Sequence, residues 1–154
     1  MLVARGHIEN RQAIVKIGFH PLMPEAGSVE PSTSTLQVPI HEYRALIDTG
    51  AQRTCLCRNV IGQEGLRHHS KIPIQNVHGM ERHYLFWVRV GFVCERVNSR
   101  QDSDGSAAYY GLPEPIEVID IANNYRFDAI IGMDLISRCD LTIERAGNFE
   151  LVLE

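Results

Sequence analysis

The chain has 154 residues, 44% of them hydrophobic, and its 15 Lys and Arg against 19 Asp and Glu give a formal net charge of −4. This length predicts one domain, spanning residues 1–154, whose core needs no metal or disulfide because such a chain buries roughly 70% of its unfolded surface. The acidic balance argues against a nucleic-acid partner, and no apolar stretch is long enough for a membrane span or a secretory signal.

Alternating apolar residues predict two strands near the amino terminus. The alternation covers residues 15–19 and 36–40, and each strand would bury one face. Residues 20–34 lie between them and contain three prolines together with several Ser and Thr residues. This composition is typical of a loop within one domain.

A polar turn between two short apolar strands follows. The strands are predicted at 43–47 and 54–57, and the turn between them contains Asp48-Thr49-Gly50-Ala51. The next segment, 58–66, is compatible with a short helix, although two glycines lower its helix propensity.

The clearest hairpin signal spans about residues 71–92. Two isoleucines begin its first strand, and apolar or aromatic residues alternate along its second strand from Tyr84 to Phe92. The tip between them is Val77-His78-Gly79-Met80. The segment at about 95–115 is polar and rich in Asp, Ser and Gly, so we expect an exposed loop there.

The last third of the chain predicts more strands and one short helix. Strands are expected at 116–119 and 127–131, a helix at 133–138, and a closing hairpin from 141–144 and 149–153. No repeat with a period of about 20–50 residues is present, which excludes solenoid and propeller folds. The whole pattern indicates a mostly β domain.

The turn at Asp48 is the first feature that suggests chemistry. An Asp at the end of a buried strand presents a carboxylate at the edge of a sheet, and Gly50 permits close approach of another backbone. An Asp-Thr-Gly tripeptide alone occurs by chance in roughly one chain in twenty of this length. On the tripeptide alone an Asx turn with a purely structural Asp is the favoured explanation, so a functional interpretation depends on the surrounding motifs.

Those motifs resemble the retropepsin-like aspartic protease family. An apolar strand precedes Asp48-Thr49-Gly50-Ala51, a glycine-containing hairpin follows, and Phe127-Asp128-Ala129-Ile130-Ile131-Gly132-Met133-Asp134-Leu135 comes near the end of the chain. In that family the three parts are the active-site turn, the flap and a strand that enters a short helix. The resemblance spans about residues 13–153. It implies a small, closed, β-barrel-like retropepsin fold with one short C-terminal helix and one lobe per chain.

The resemblance also assigns roles to single residues. Asp48 would be catalytic, Thr49 would hydrogen-bond across a dimer axis, and the Gly50 backbone would contact substrate, with Ala51 completing the turn. The other assignments are a flap tip that clamps substrate and a set of residues that support the turn: Val77, His78, Gly79 and Met80 for the flap, and Ile131, Gly132 and Asp134 for the support.

Peptide hydrolysis by carboxylates alone needs two of them sharing one proton, and the sequence holds a single Asp-Thr-Gly. Two identical chains on a two-fold axis would supply both carboxylates. We therefore expect a homodimer, formed through the active-site turn and the terminal strands. Its paired Asp48 side chains would activate a water that cleaves an extended polypeptide. This mechanism uses no metal and no other cofactor.

Two positions differ from the viral members of the family. Those proteases commonly have an acidic residue directly after the Ala of the turn and an Arg directly after the helix-entry Gly, whereas this chain has Gln52 and Met133. The charge pairing that braces viral dimers therefore cannot form in the same way. A start at Met1 and the compact length suggest a free-standing cellular enzyme, for example a bacterial one, rather than a segment of a viral polyprotein.

Other functions stay open at this point. The same fold could serve dimerisation or peptide binding without catalysis, with Asp48 as a structural turn residue. A Cys and His nucleophile pair has no local signature. A zinc hydrolase would draw on histidines and cysteines whose spacing matches no standard zinc motif. Its candidate ligands are Cys55, Cys57, His68, His69, His78 and His83.

The cysteine content bears on the compartment. Four cysteines are too few for a disulfide framework in a chain of this length. Reduced thiols in a reducing compartment explain them better. We therefore expect a cytoplasmic protein.

Overall fold

The structure, a computed structural model, describes residues 1–22, 41–97 and 103–153. Within these ranges the chain forms eleven strands and two short helices, so the predicted mostly β class is confirmed. In chain order the elements are β1 (Leu2–His7), β2 (Ile14–His20), β3 (Tyr43–Ile47), β4 (Cys55–Cys57), α1 (Arg58–Glu64), β5 (Ser70–Asn76), β6 (Gly79–Val97), β7 (Ser103–Gly111), β8 (Ile116–Ile121), β9 (Ala129–Ile131), α2 (Met133–Ile136), β10 (Asp140–Ile143) and β11 (Asn148–Val152).

The described strands form one sheet. Its order is β10-β11-β1-β6-β2-β3-β9-β4-β8, with β5 and β7 paired to β6 and a further pairing between β6 and β8. Most neighbours are antiparallel, but β9 runs parallel to β3 and β8 runs parallel to β4. The turn that carries Asp48 connects β3 to β4, which are one strand from each of these parallel pairs.

The longest strand, β6, organises the sheet. It has 19 residues, and Phe86, Val88, Val90 and Phe92 on one of its faces are all buried. This is the alternation that the sequence predicts, and it arises because successive side chains of a strand point to opposite faces. Along its length β6 pairs with β5, β8, β2, β7 and β1. One strand therefore joins the hairpin to the rest of the sheet.

Most predicted strands are confirmed. The segments 15–19, 43–47 and 116–119 fall within β2, β3 and β8, and β5 and β6 form the hairpin predicted at 71–92. The predicted strand at 36–40 lies outside the described residues, as does most of the loop predicted at 20–34.

Both predicted helices are present, so the fold has α1 in addition to the single C-terminal helix expected from the family resemblance. Helix α1 is followed by Gly65 as its C-terminal cap, whose φ of +63° is the left-handed conformation that glycine adopts without strain. Helix α2 is shorter than predicted and ends at Ile136. Within the described ranges, no helix has the length and apolar character needed to cross a membrane.

The exposed loop predicted at about 95–115 is wrong for residues 95–97 and 103–111, which lie in strands, and holds for the exposed residues 113–115. Strand β6 continues to Val97, and β7 pairs with it over Ser103–Gly111. Tyr109 is buried, and its ring packs so closely on Gly91 that a Cβ there would lie 2.3 Å from a ring carbon. The polar composition was misleading because strand pairing uses backbone groups, which polar residues supply as well as apolar ones.

Candidate active site

The Asp48 turn joins β3 to β4 across the end of a third strand. Strand β9 lies between them, paired in parallel with β3 through Ile47 and Ile131 and antiparallel with β4 through Cys55 and Ile130. Because the two strands on either side of β9 belong to one connection, the turn must pass the carboxyl end of β9. This arrangement brings residues more than 80 positions apart in sequence to one place.

Asp48 is half-buried at the start of the turn. Its N–H donates to the Ile131 carbonyl at 3.0 Å, and its carbonyl accepts the Ala51 N–H at 3.2 Å. Its Oδ1 accepts the Gly50 N–H at 2.9 Å, which is an Asx turn. Oδ2 has no hydrogen-bond partner in the part of the chain that the structure describes. One carboxylate oxygen therefore holds the turn while the other is available to a ligand.

A buried polar network lies behind the turn. The side chain of Thr54 is fully buried, and its hydroxyl donates to Asp134 Oδ1 at 2.7 Å and accepts the Gly132 N–H at 3.2 Å. Asp134 Oδ2 accepts the Thr54 N–H at 3.0 Å. Every polar group in this set has a partner, which is the condition under which buried polar groups stabilise a fold. The network ties the start of β4 to the start of α2.

Gly132 is required by close backbone contact. A Cβ at this position would lie 2.6 Å from the Arg53 carbonyl carbon and 2.9 Å from the Ala51 oxygen. The contact allows the first N–H groups of α2 to reach the turn, because Met133 donates to the Ala51 carbonyl at 2.8 Å and Asp134 to the Gln52 carbonyl at 3.2 Å. These are the helix donors that lack partners within the helix itself.

The structure thus brings the three predicted supporting residues, Ile131, Gly132 and Asp134, against the Asp48 turn. Sequence reasoning missed Thr54, whose partners lie 78 and 80 residues away. Its only sequence signal is a hydroxyl residue at the start of an apolar strand, which many strands share. Its role becomes visible once β4 and α2 are adjacent.

The outward side of the turn is accessible. Thr49, Gly50 and Gln52 are exposed, and Met133 retains 39% exposure although it is apolar and opens α2. An apolar side chain beside a polar turn provides a surface on which another chain can pack.

The four predicted flap residues lie at the tip of the β5–β6 hairpin. Val77 is 94% exposed and Met80 is 64% exposed. Gly79 has a φ of +116°, a conformation that side-chain-bearing residues rarely adopt, so the tight tip explains the glycine. The hairpin is formed by β5 and β6, whereas the Asp48 turn connects β3 to β4. The hairpin is therefore a separate element of the candidate site.

A charged cluster missed in the sequence adjoins the turn. Arg53 reaches Glu117 on β8 at 3.6 Å, and His69 reaches the other carboxylate oxygen of Glu117 at 3.0 Å. The His69 ring stacks on Trp87, with centroids 5.6 Å apart. Glu117 and Trp87 are opposite one another in the β6–β8 ladder, so they form a cross-strand pair on the outer face.

The candidate zinc ligands do not come together. His68 contacts the Tyr84 ring, His69 pairs with Glu117, and His83 binds the Asp120 carbonyl. Burial, with a smaller effect of the Asp134 charge, raises the pKa of Cys55 to about 11, which favours the neutral thiol over the thiolate that binds metal. Among the described residues no group of three or more His, Cys, Asp or Glu side chains is placed to hold a metal ion.

Comparison with solved structures places this geometry in a known fold. The chain superimposes on the crystal structure of a retropepsin-like aspartic protease from Rickettsia conorii with a TM-score of 0.54, covering 98% of this chain and 93% of that one at 12% identity. The chain shares the fold of this protease. A retroviral protease-like domain of Ddi1 from Leishmania major aligns with a TM-score of 0.41 and 13% identity over 87% of this chain and 82% of that one. No protein-family model and no curated sequence matches the chain.

Proposed function

We propose that this protein is an aspartic endopeptidase that hydrolyses extended polypeptide as a homodimer, with one Asp48 from each chain. The observation that carries the proposal is the Asp48 carboxylate itself. It stands at an accessible turn that a buried network supports from behind, and one of its oxygens is free of hydrogen bonds within the described residues. The shared fold supports the proposal because it is the fold of an aspartic protease.

The chemistry requires two such carboxylates in contact. Two carboxylates at this distance cannot both ionise, so the pair holds one proton through mildly acidic pH. The ionised member removes a proton from a bound water, whose oxygen attacks the scissile carbonyl carbon while the protonated member transfers its proton to the carbonyl oxygen, which gives a neutral gem-diol. As the C–N bond breaks, the protonated member gives its proton to the leaving nitrogen and the ionised member takes a proton from a gem-diol hydroxyl, so the pair again holds one proton.

The accessible side of the turn is the surface proposed for the dimer contact. Thr49 and Gly50 are exposed there, and Met133 adds apolar area where viral family members carry a charge. The sequence also predicts a dimer contact through the terminal strands, but β1 and β11 have no free edge in the described sheet with which to pair. Strand β1 lies between β11 and β6, and β11 lies between β10 and β1, so neither is an edge strand.

Substrate and compartment complete the proposal. The exposed tip of the β5–β6 hairpin would close on an extended peptide through backbone pairing, with Val77 and Met80 providing apolar contacts. All four cysteines are free thiols, which fits a cytoplasmic location.

The alternative is a dimerisation or peptide-binding module without catalysis. One observation favours it: Asp48 Oδ1 accepts the Gly50 N–H, so the carboxylate has a structural role that requires no reaction. In this alternative the function of Asp48 would be to stabilise the turn through its hydrogen bond with Gly50.

The test compares the wild-type protein with Asp48→Asn on casein between about pH 4 and pH 7, with the native mass measured in the same buffers. Asn retains an acceptor for the Gly50 N–H, so the turn persists while the acid–base chemistry is lost. Asp140→Asn changes an exposed carboxylate on β10 and serves as the matched control.

Cleavage by the wild type and by Asp140→Asn, with loss in a still dimeric Asp48→Asn, would support the endopeptidase. An inert wild-type dimer would favour the binding module. Equal cleavage by all three proteins would remove Asp48 from the reaction.

A further inference from the structure

The base of the β5–β6 hairpin is a defined point in the sheet. The ladder between β6 and β8 runs from Val88 with Ile116 to Leu85 with Ile119. Beyond Leu85 the described partner of β6 is β5, over Gly79–Leu85. Contacts to the residues that directly precede Leu85, at the base of the hairpin, therefore fix the position of the whole projecting hairpin.

Asp120 occupies this point. Its side chain is only 3% exposed, and its Oδ1 accepts the N–H of Tyr84 at 2.6 Å, one residue beyond the last ladder pair. The adjacent His83 ring has Nδ1 2.8 Å from the Asp120 carbonyl oxygen and 3.4 Å from Oδ1. Two successive hairpin residues are thus bound by one residue of β8.

The other carboxylate oxygen of Asp120 binds a different segment of the chain. Arg58, the first residue of α1, donates from Nε to Oδ2 at 3.0 Å. Arg58 directly follows β4, the strand that leads away from the Asp48 turn. A single buried carboxylate therefore connects the base of the hairpin to the segment that carries the candidate active-site turn.

The electrostatics of Asp120 agree with this connection. Burial by itself raises the pKa of Asp120, but the Tyr84 N–H, the Arg58 guanidinium and the His83 ring outweigh it, and the net pKa is lowered. A buried carboxylate is costly unless its oxygens are bound in this way. These contacts therefore favour the ionised form of Asp120.

We propose that Asp120 is a positioning residue that sets the attachment and angle of the β5–β6 hairpin relative to the Asp48 turn. The inference deepens the proposed endopeptidase and rests on it for the hairpin's role as a flap. The placement of the hairpin by Asp120 is a separate claim. It follows from the contacts to Tyr84, His83 and Arg58, and exchange of backbone amides tests it in the absence of substrate.

The experiment measures hydrogen exchange of backbone amides in wild type, Asp120→Asn and Asp128→Asn. Asp120→Asn keeps the size of the side chain but removes the charge that binds Arg58 and the Tyr84 N–H. Asp128→Asn is the matched control, because Asp128 Oδ2 likewise accepts a backbone N–H, that of Arg44 on β3 at 2.8 Å, away from the hairpin.

We expect the amides of 70–84 to exchange at least about tenfold faster in Asp120→Asn, since hydrogen bonds to charged groups are worth that factor or more. Amides of the core half of β6, such as that of Phe92, should keep their rates and so show that the sheet is intact. Hairpin rates equal to wild type would overturn the proposal. Equal acceleration of hairpin and core would also overturn it, because Asp120 would then support the whole sheet.

Activity gives a second readout that separates the two proposals. If the endopeptidase proposal holds, Asp120→Asn should raise KM for a peptide more than it lowers kcat, whereas Asp48→Asn removes kcat. An inert wild type with a loosened hairpin in Asp120→Asn would end the endopeptidase proposal and leave the positioning role of Asp120 standing. A changed kcat with unchanged KM and unchanged exchange would contradict the positioning role.

Discussion

Thr54 shows how much of the candidate site depends on one hidden side chain. Its hydroxyl serves as donor to Asp134 and acceptor from Gly132 in a fully buried position. Thr54→Val keeps the volume and strand propensity but removes the hydroxyl donor to Asp134 Oδ1 and leaves the buried Gly132 N–H without its acceptor. We expect a loss of about 1–3 kcal/mol in the free energy of unfolding, measured by urea denaturation.

The control for this prediction is Thr142→Val, at an exposed position of β10. Exposed substitutions of this kind stay within about 0.5 kcal/mol of wild type. If the two variants lost the same free energy, the network behind the turn would not be a specific source of stability.

His20 makes stability depend on pH. Burial and, to a smaller extent, the charge of Arg89 lower its pKa below the ordinary value. The unfolded chain therefore binds a proton as the pH falls through about 6.5, while the folded chain does not until the pH is lower still. Stability from this source is complete above the ordinary pKa and declines as the pH falls towards the lowered folded value.

The pH prediction is checked by urea unfolding of wild type and His20→Phe between about pH 7 and pH 5. Phe preserves ring packing against Tyr109, whose centroid lies 4.7 Å from that of His20, but it does not titrate. The decline with acid should be smaller in His20→Phe. An identical pH slope in both proteins would show that another group causes the decline.

Among the elements, the junction of β9 with α2 and the short helix α1 contain glycines of opposite kinds. Gly132 has fixed backbone atoms within 3 Å of the Cβ it lacks, whereas Gly62 in α1 has nothing within 4 Å. Gly132→Ala forces backbone shifts and should destabilise the protein by about 1–3 kcal/mol or more. Gly62→Ala should stabilise it by about 0.5–1 kcal/mol, since alanine favours the helix.

Thermal and urea unfolding of the two alanine variants measure this difference. The opposite signs matter more than either value. Destabilisation by Gly62→Ala would contradict the expectation that helix propensity determines its effect in α1. An unchanged free energy of unfolding in Gly132→Ala would show that the backbone around the turn can shift without loss of stability.

At the scale of the whole molecule, the proposed mechanism makes one active site from two chains. Mixing wild type with a ninefold excess of Asp48→Asn and allowing exchange of subunits should reduce activity per wild-type chain to about a tenth, because random pairing leaves few dimers with two intact carboxylates. Activity per chain should also rise with protein concentration until dimers are complete.

The control for the mixing experiment is an equal excess of Asp140→Asn, which retains Asp48 and should not reduce activity per wild-type chain. Undiminished activity with excess Asp48→Asn, once mixed dimers are demonstrated by native mass, would mean that one chain suffices for the reaction. The two-carboxylate mechanism would then be excluded.

The sequence by itself determined what depends on neighbouring residues. Alternation marked β6 and its buried face, and the apolar strand before Asp48 located the turn. Glycine at the end of α1 and at the hairpin tip follows from local backbone conformation, at Gly65 and Gly79. Motif resemblance indicated Ile131, Gly132 and Asp134 as supports of the turn, and the structure places all three beside it.

Only the tertiary structure decided what depends on residues far apart in the chain. Strand β7 forms because β6 supplies backbone partners to a polar segment. Thr54 meets Asp134 because β9 enters between β3 and β4. Asp120 meets Tyr84 and Arg58 where two strands part. Such contacts have no local pattern, since a hydrogen bond between residues tens of positions apart is set by strand register, and register arises from the packing of the entire sheet.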